Sequence, residues 1–260
     1  MCITRARSVA RAGADYDERP VTPQQAREMR AMFNTSAAEA AALMAANALC
    51  EYLNRWNDAG PAEVARARSA VDDALALDPA FHLAHYARGF LCRTRGQHAD
   101  ELAAFDETIR CNPDFARAHA QRGEALLYLG QAAEAIVAVN EAIRRNPTSK
   151  IRGYFYWVKG RSYFYQQQYT EAIDWLERSV RNWPHVWYNR AYLVSAHALS
   201  GNPGSRTAAR RVLRSFNARF PGYTVTQVID NEGATPDNIR SFVAMRQRFH
   251  EGLRLAGMPP

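Results

Sequence analysis

The sequence predicts an all-α fold, a right-handed superhelical solenoid of about five helix hairpins with a C-terminal capping helix. Three pairs of marker residues recur at a constant interval of 34 residues. They are Gly89 with Gly123, Gly96 with Gly130, and Pro113 with Pro147. A repeat period of this length is typical of solenoids, in which each unit packs against its neighbours in the chain.

The chemistry of the markers defines the repeated unit. Gly89 and Gly123 are predicted inside the first helix, where a missing side chain lets a neighbouring helix approach closely. Gly96 and Gly130 follow that helix and suit a left-handed cap. The prolines end the second helix, because proline cannot continue one. The unit is therefore a helix, a short turn, a second helix and a stop.

This unit resembles the tetratricopeptide repeat. The best copy runs over residues 116–149 and matches the family spacing at eight positions. They are Gly123, Leu126, Gly130, Ala135, Ile136, Val139, Ala142 and Pro147. The copy departs from the family at His119 and Arg122, where a large aromatic residue and a leucine are usual. The resemblance implies that the first helices of successive repeats line a concave inner face.

The rest of the chain is divided around these repeats. Residues 1–21 are predicted as a flexible tail, 22–79 as N-terminal helices and a degenerate first repeat, 80–221 as the solenoid, and 222–260 as a helical cap. Three extra residues around positions 148–153 displace the third good repeat, after which the pattern returns at Gly160. A last helix, predicted to start at Thr235–Pro236, should cap the open end of the solenoid.

From Trp187 onward the chain also resembles the C-terminal repeat region of some bacterial class III adenylate cyclases. The most distinctive stretch is Gly252–Leu253 followed by Ala256–Gly257–Met258–Pro259. The sequence leaves no room for a cyclase catalytic domain. The resemblance therefore implies a regulatory interaction module that stands alone. One alternative function is that of a regulatory partner of a separately encoded adenylate cyclase or transcription regulator.

Several classes of function are disfavoured by the sequence. It carries no phosphate loop, no nucleophile elbow and no secretory signal, and no window approaches 18 apolar residues. We therefore expect a non-catalytic, cytoplasmic protein without a cofactor. His82, His85 and His119 could approach one another across adjacent repeats, but a zinc site would need further ligands, and the equivalent places of His85 and His119 indicate packing. No pair among the four cysteines has metal-ligand spacing, and they are predicted to be reduced and structural, so no metal is expected.

The concave face is the predicted binding site. Residues at three- and four-residue spacing on the first helices place aromatic and basic side chains on one face. The predicted partner-binding residues are Tyr86, Phe90, Arg93, Arg117, Gln121, Glu124, Tyr128, Tyr154, Trp157, Arg161 and Tyr165. The expected ligand is an extended or helical protein segment with acidic and apolar residues. The sequence is also compatible with a homo-oligomer.

A nucleic-acid partner is the alternative. The net charge is +7, and the second helix of the last hairpin carries an unrelieved basic face. Its members are Arg206, Arg210, Arg211, Arg214 and Arg219. The competing interpretation of this face is an ordinary solvated surface, since the sequence contains no known nucleic-acid motif.

Overall fold

The described residues of the computed structural model are 61–232 and 239–260, with Ala42, Ala45 and Leu49. All of them fall within the unit formed by residues 38–260. Ala42, Ala45 and Leu49 are helical and buried, and the spacing places them on one helix face. The predicted tail and the predicted helix over residues 22–33 lie outside the described part of the chain.

Eleven helices occupy the described ranges, which contain no strand. They are α1 (Pro61–Leu77), α2 (His82–Thr94), α3 (His98–Cys111), α4 (Ala116–Tyr128), α5 (Ala132–Arg145), α6 (Arg152–Tyr165), α7 (Tyr169–Asn182), α8 (Trp187–Leu199), α9 (Ser205–Arg219), α10 (Val225–Asn231) and α11 (Arg240–Ala256). From α1 to α9 each helix packs against the next one in the chain. The predicted superhelical solenoid of helix hairpins is therefore confirmed.

Glycines inside the first helices allow the two helices of a hairpin to touch. A Cβ on Gly89 would lie 2.5 Å from the ring of the fully buried Phe105, and one on Gly160 would lie 2.8 Å from Leu176 Cγ. Real Cβ atoms do not come this close to other atoms, so only glycine fits at these positions. The close approach predicted from the sequence is confirmed.

The turns within the hairpins share one backbone conformation. Gly96, Gly130 and Gly201 have φ values of +68°, +77° and +68°, and the equivalent residue between α6 and α7 is Gln167, with a φ of +59°. A side chain in the left-handed region costs about 1–2 kcal/mol, which glycine avoids. The repeat therefore imposes this conformation even where the sequence has lost the glycine.

The C-terminal segment ends the solenoid and also turns back along it. Helix α10 begins with a capping box in which Thr224 and Gln227 exchange hydrogen bonds. Helix α11 begins at Arg240, after an extended Ile239, and the predicted start at Thr235–Pro236 lies outside the described residues. It packs mainly along α8, and also touches α9 and α10.

The first prediction concerns packing. Gly123→Leu should lower the free energy of unfolding by about 2 kcal/mol or more, because a Cβ there already lies 3.2 Å from the Ala135 carbonyl oxygen. Chemical denaturation measures the loss. Ala133→Leu, at an exposed position of α5, is the matched control and should change stability little. Equal free energies of unfolding for the two variants would contradict the close contact between Gly123 and helix α5.

The second prediction concerns the turn at Gln167. Gln167→Gly should raise the free energy of unfolding by about 1 kcal/mol, since it removes a side chain from a left-handed backbone. The reverse exchange, Gly96→Gln, should cost a similar amount, because a Cβ on Gly96 has open space around it and only backbone strain is added. If the denaturation midpoints of both variants shifted in the same direction, backbone strain at the left-handed turn would not explain the changes in stability.

Candidate functional site

A buried ionic cluster joins the inner faces of the central repeats. We call it the inner network, formed by Arg93, Glu101, Glu124, Tyr154 and Arg161. These residues come from α2, α3, α4 and α6, so the cluster ties three consecutive hairpins together.

Arg93 connects the first two of these hairpins. Its Nε donates to Glu101 Oε1 at 2.7 Å, Nη1 to Glu124 Oε2 at 2.9 Å and Nη2 to Gln121 Oε1 at 2.9 Å. His98 Nδ1 lies 2.8 Å from the other oxygen of Glu101. Burial alone would lower the pKa of Arg93, but Glu101 and Glu124 hold that pKa above its ordinary value. The guanidinium is therefore charged and fully committed to internal partners.

Glu124 is the shared acceptor of the inner network. Besides Arg93, it accepts a hydrogen bond from the Tyr154 hydroxyl at 2.6 Å and from Arg161 Nη1 at 3.4 Å. Burial alone would raise the pKa of Glu124, but Arg93, Arg161 and the Tyr154 hydroxyl hold that pKa below its ordinary value. The carboxylate is thus ionised inside the protein.

Arg161 lies among aromatic rings. Its guanidinium carbon is 5.1–5.9 Å from the centroids of five of them, namely Tyr128, Trp157, Tyr165, Tyr192 and Phe242. Its Nε donates to the Tyr165 hydroxyl at 2.9 Å. Cation–π attraction of this kind helps to offset the cost of removing the charge from water. Like Arg93, Arg161 is occupied by contacts within the chain.

Helix α11 covers the adjoining part of the inner face. The Phe249 ring stacks on Tyr192 with centroids 3.9 Å apart, and the Phe242 ring lies 5.5 Å from Tyr128 and 6.1 Å from Tyr165. Ser195 Oγ donates to the Phe249 carbonyl oxygen at 2.9 Å. The turn-side ends of α4, α6 and α8 are therefore covered by the chain's own C-terminal helix.

One row of side chains on the inner face stays at least partly accessible near the start of the first helices. We call it the mouth row, formed by Leu83, Arg117, Tyr154 and Tyr188. Each occupies the same position near the start of α2, α4, α6 or α8. Arg117 is exposed, and the other three are half-buried.

The mouth row ends in a group of four aromatic rings. This aromatic quartet consists of Tyr154, Trp157, Trp183 and Tyr188. Ring centroids around the quartet are 5.8 Å apart for Tyr154–Trp157, 4.7 Å for Trp157–Tyr188, 5.6 Å for Trp183–Tyr188 and 5.8 Å for Tyr154–Trp183. Trp157 Nε1 is buried and has no hydrogen-bond acceptor within the described ranges. Tyr154, Trp183 and Tyr188 are half-buried, so these three rings supply the partly open aromatic surface of the quartet.

The eleven predicted binding residues divide into three groups by exposure. Seven are buried, and these are Tyr86, Phe90, Gln121, Glu124, Trp157, Arg161 and Tyr165. Arg93, Tyr128 and Tyr154 are half-buried, and Arg117 is exposed. Sequence reasoning missed Trp183 and Tyr188. Tyr188 could have been found, since it follows Tyr154 by one repeat interval.

A basic surface lies on α9, as its sequence indicated. Arg206, Arg210, Arg211, Arg214 and Arg219 are all exposed. Arg219 pairs with His185 Nδ1 at 2.8 Å, whereas the other four form no hydrogen bond or ion pair within the described part of the chain. On α3, α5 and α7 exposed arginines pair with an acid three or four residues earlier, as Arg110 does with Glu107. Helix α9 contains no acidic residue.

A third prediction tests the inner network. Glu124→Gln should lower the free energy of unfolding on the order of 3 kcal/mol at pH 7, because two buried guanidinium groups lose a charged partner. The native pKa of Glu124 is lowered, so its contribution is present above the ordinary glutamate pKa and is lost as pH falls through the native value.

Urea denaturation at pH 7 and at pH 3 measures this effect. The difference between the wild type and Glu124→Gln should narrow at the lower pH. Glu134→Gln removes an exposed carboxylate from the next helix and serves as the control, with little expected change. A difference that is independent of pH would show that the charge of Glu124 is not what stabilises the network.

Comparisons with known proteins agree with this architecture. A family model described as tetratricopeptide repeat matches residues 62–116 and 120–186. No curated protein matches this sequence. None of the helices in residues 61–232 and 239–260 is long and apolar enough to cross a membrane.

Solved structures show the same fold at low sequence identity. PilW, a type IV pilus biogenesis factor, has a TM-score of 0.60 at 19% identity, over 82% of this chain and 90% of PilW. Pseudomonas aeruginosa pilF has a TM-score of 0.60 at 16% identity, over 85% of this chain and 96% of pilF. MamA from Desulfovibrio magneticus RS-1 has a TM-score of 0.52 at 15% identity, over 69% and 95% of the two chains. The part of this chain that is similar to the tetratricopeptide repeat family by sequence therefore spans helices α1 to α7.

Proposed function

We propose that the protein is a non-catalytic scaffold that binds a protein segment along its mouth row. The proposal rests on one observation, the aromatic quartet, in which the rings of Tyr154, Trp183 and Tyr188 are half-buried beside the buried Trp157. Tryptophan, tyrosine and arginine also dominate the binding energy of protein interfaces.

The contacts of the inner face narrow the chemistry of the ligand. Arg93 and Arg161 already have carboxylate partners, so they contribute little net positive charge to a ligand. The exposed Arg117 is the cation of the mouth row. The favoured ligand therefore carries an apolar or aromatic side chain for the quartet, and a carboxylate for Arg117.

The proposed cellular role is regulatory, and it is based on the sequence motifs and on the resemblance of the C-terminal part. A module without catalytic motifs fits a cytoplasmic regulatory protein of a bacterium, and homo-oligomers are compatible with it. The resemblance of the C-terminal part to the repeat region of class III adenylate cyclases extends the proposal. In that extension, the partner is a separately encoded cyclase or transcription regulator.

The basic surface of α9 favours a second candidate function. Four exposed arginines without an acidic partner would attract phosphates, and their release of counterions would make binding sensitive to salt. The second candidate is therefore a nucleic-acid-associated protein that uses α9. This candidate uses α9, whereas the mouth row lies on α2, α4, α6 and α8. Variants can therefore test the two surfaces separately.

The fourth prediction tests both surfaces. Peptides selected from a random library against the full chain should bind the wild type and lose at least about tenfold in affinity with Arg117→Glu or with Tyr188→Ala, the range expected for hot-spot residues. The matched control is the triple variant Arg210→Gln, Arg211→Gln and Arg214→Gln, which should bind these peptides normally. Fluorescence anisotropy gives the affinities, and melting temperatures verify folding.

The same variants are then titrated with a labelled oligonucleotide at low and high salt. Salt-sensitive binding that the triple variant loses and Arg117→Glu retains would support the second candidate. Selected peptides that bind all variants equally would exclude the mouth row as the site.

A further inference from the structure

Three side chains with metal-binding atoms meet where α2 faces α3. His85 on α2 and Glu107 and Cys111 on α3 each place one ligand atom within 4.8 Å of the others. Glu107 and Cys111 are four residues apart, so they project from the same face of α3. We propose that His85, Glu107 and Cys111 form a binding site for one divalent cation of the Zn²⁺ type.

The hydrogen bond of His85 fixes the ring nitrogen that is available. Its Nε2 lies 2.8 Å from the Pro79 carbonyl oxygen, and a carbonyl oxygen can only accept. Nε2 therefore carries the hydrogen, and in the neutral ring Nδ1 keeps its lone pair. Histidines that bind metals are generally held in this way, with the second nitrogen donating to a carbonyl or carboxylate.

Glu107 and Cys111 offer the other two ligands. Cys111 Sγ is 3.9 Å from Glu107 Oε1, close to the separation of two ligands on one tetrahedral ion. Arg110 Nε donates to the other oxygen, Oε2, at 2.9 Å and can remain there when Oε1 turns to a cation. The Arg110 side chain is 67% exposed, so its other two contacts, to Glu107 Oε1 at 2.5 Å and to Cys111 Sγ at 3.6 Å, can be released into water.

The next repeat shows what distinguishes this cluster. Thirty-four residues further on, His119 Nε2 makes the same bond to the Pro113 carbonyl oxygen, at 2.9 Å. Glu141 and Arg145 there take the places of Glu107 and Cys111. Arg145 Nε donates to Glu141 Oε1 at 2.7 Å, so a guanidinium occupies the carboxylate. The histidine and the glutamate are therefore common to both repeats, and the thiol of Cys111 distinguishes the first repeat from the second.

The composition of the site favours Zn²⁺ over Mg²⁺ or Ca²⁺. A thiolate and an imidazole are ligands for zinc, whereas the hard cations prefer sets of oxygen atoms. Three protein ligands leave a fourth position for water on a tetrahedral ion. Glu107 and Cys111 are only half-buried, so a cation can reach the site from solvent. The role is one of binding, and it is independent of the proposed peptide site.

The fifth prediction uses Co²⁺ as a spectroscopic substitute for Zn²⁺. In a full-length background with Cys2→Ser, Cys50→Ser and Cys92→Ala, Cys111 is the remaining thiol. One equivalent of Co²⁺ should bind and give a thiolate charge-transfer band in the near ultraviolet. Added Zn²⁺ should displace the cobalt and abolish the band.

Matched variants assign the ligands. In the same background, Cys111→Arg should abolish the band by installing the arginine of the next repeat, and Cys111→Ser should abolish it without adding charge. His85→Gln should weaken cobalt binding at least about tenfold, as removal of an outer partner alone can do. His119→Gln should leave it unchanged. A background protein with no band at millimolar Co²⁺, or a band that survives Cys111→Ser, would overturn the proposal.

Discussion

The carboxylate of Glu124 is the point at which the repeats are joined electrostatically. It accepts from Arg93 of the preceding hairpin, and from Tyr154 and Arg161 of the following one. In a solenoid each repeat contacts only its neighbours, so the contacts that hold it together are local. Here one buried charge needs partners from both sides, because an ion left unpaired in the interior is very costly. The central three hairpins are therefore coupled as a unit.

This coupling changes where the protein can recognise a ligand. Arg93 and Arg161, which would attract a peptide in an open groove, instead form ion pairs with Glu101 and Glu124. Helix α11 then covers the turn-side ends of α4, α6 and α8, where Phe242 and Phe249 meet the aromatic rings. What is left accessible is the opposite end of the first helices. The mouth row lies at this end, and Tyr154 belongs both to it and to the inner network.

The sequence predicted the backbone better than the site. Gly89, Gly96 and Gly130 were assigned correctly because each meets a steric requirement that is repeated at a fixed interval. The site was harder, since helical spacing tells which face a residue is on and not how deeply it is buried. Arg93 and Arg117 lie on the same predicted face, yet Arg93 is enclosed by carboxylates from other helices, and Arg117 is exposed. Such contacts join residues far apart in the chain and leave no periodic signal.

Equivalent positions in the repeats show how one backbone carries different chemistry. The left-handed turn is kept when glycine becomes Gln167, so the backbone is set by the hairpin and not by one residue. At the site paired with His85 or His119, the chain places a thiol in one repeat and a guanidinium in the next. A solenoid can change such a position freely, because each residue there contacts only its own hairpin and the nearest neighbours. Function is therefore expected where equivalent residues differ, and structure where they agree.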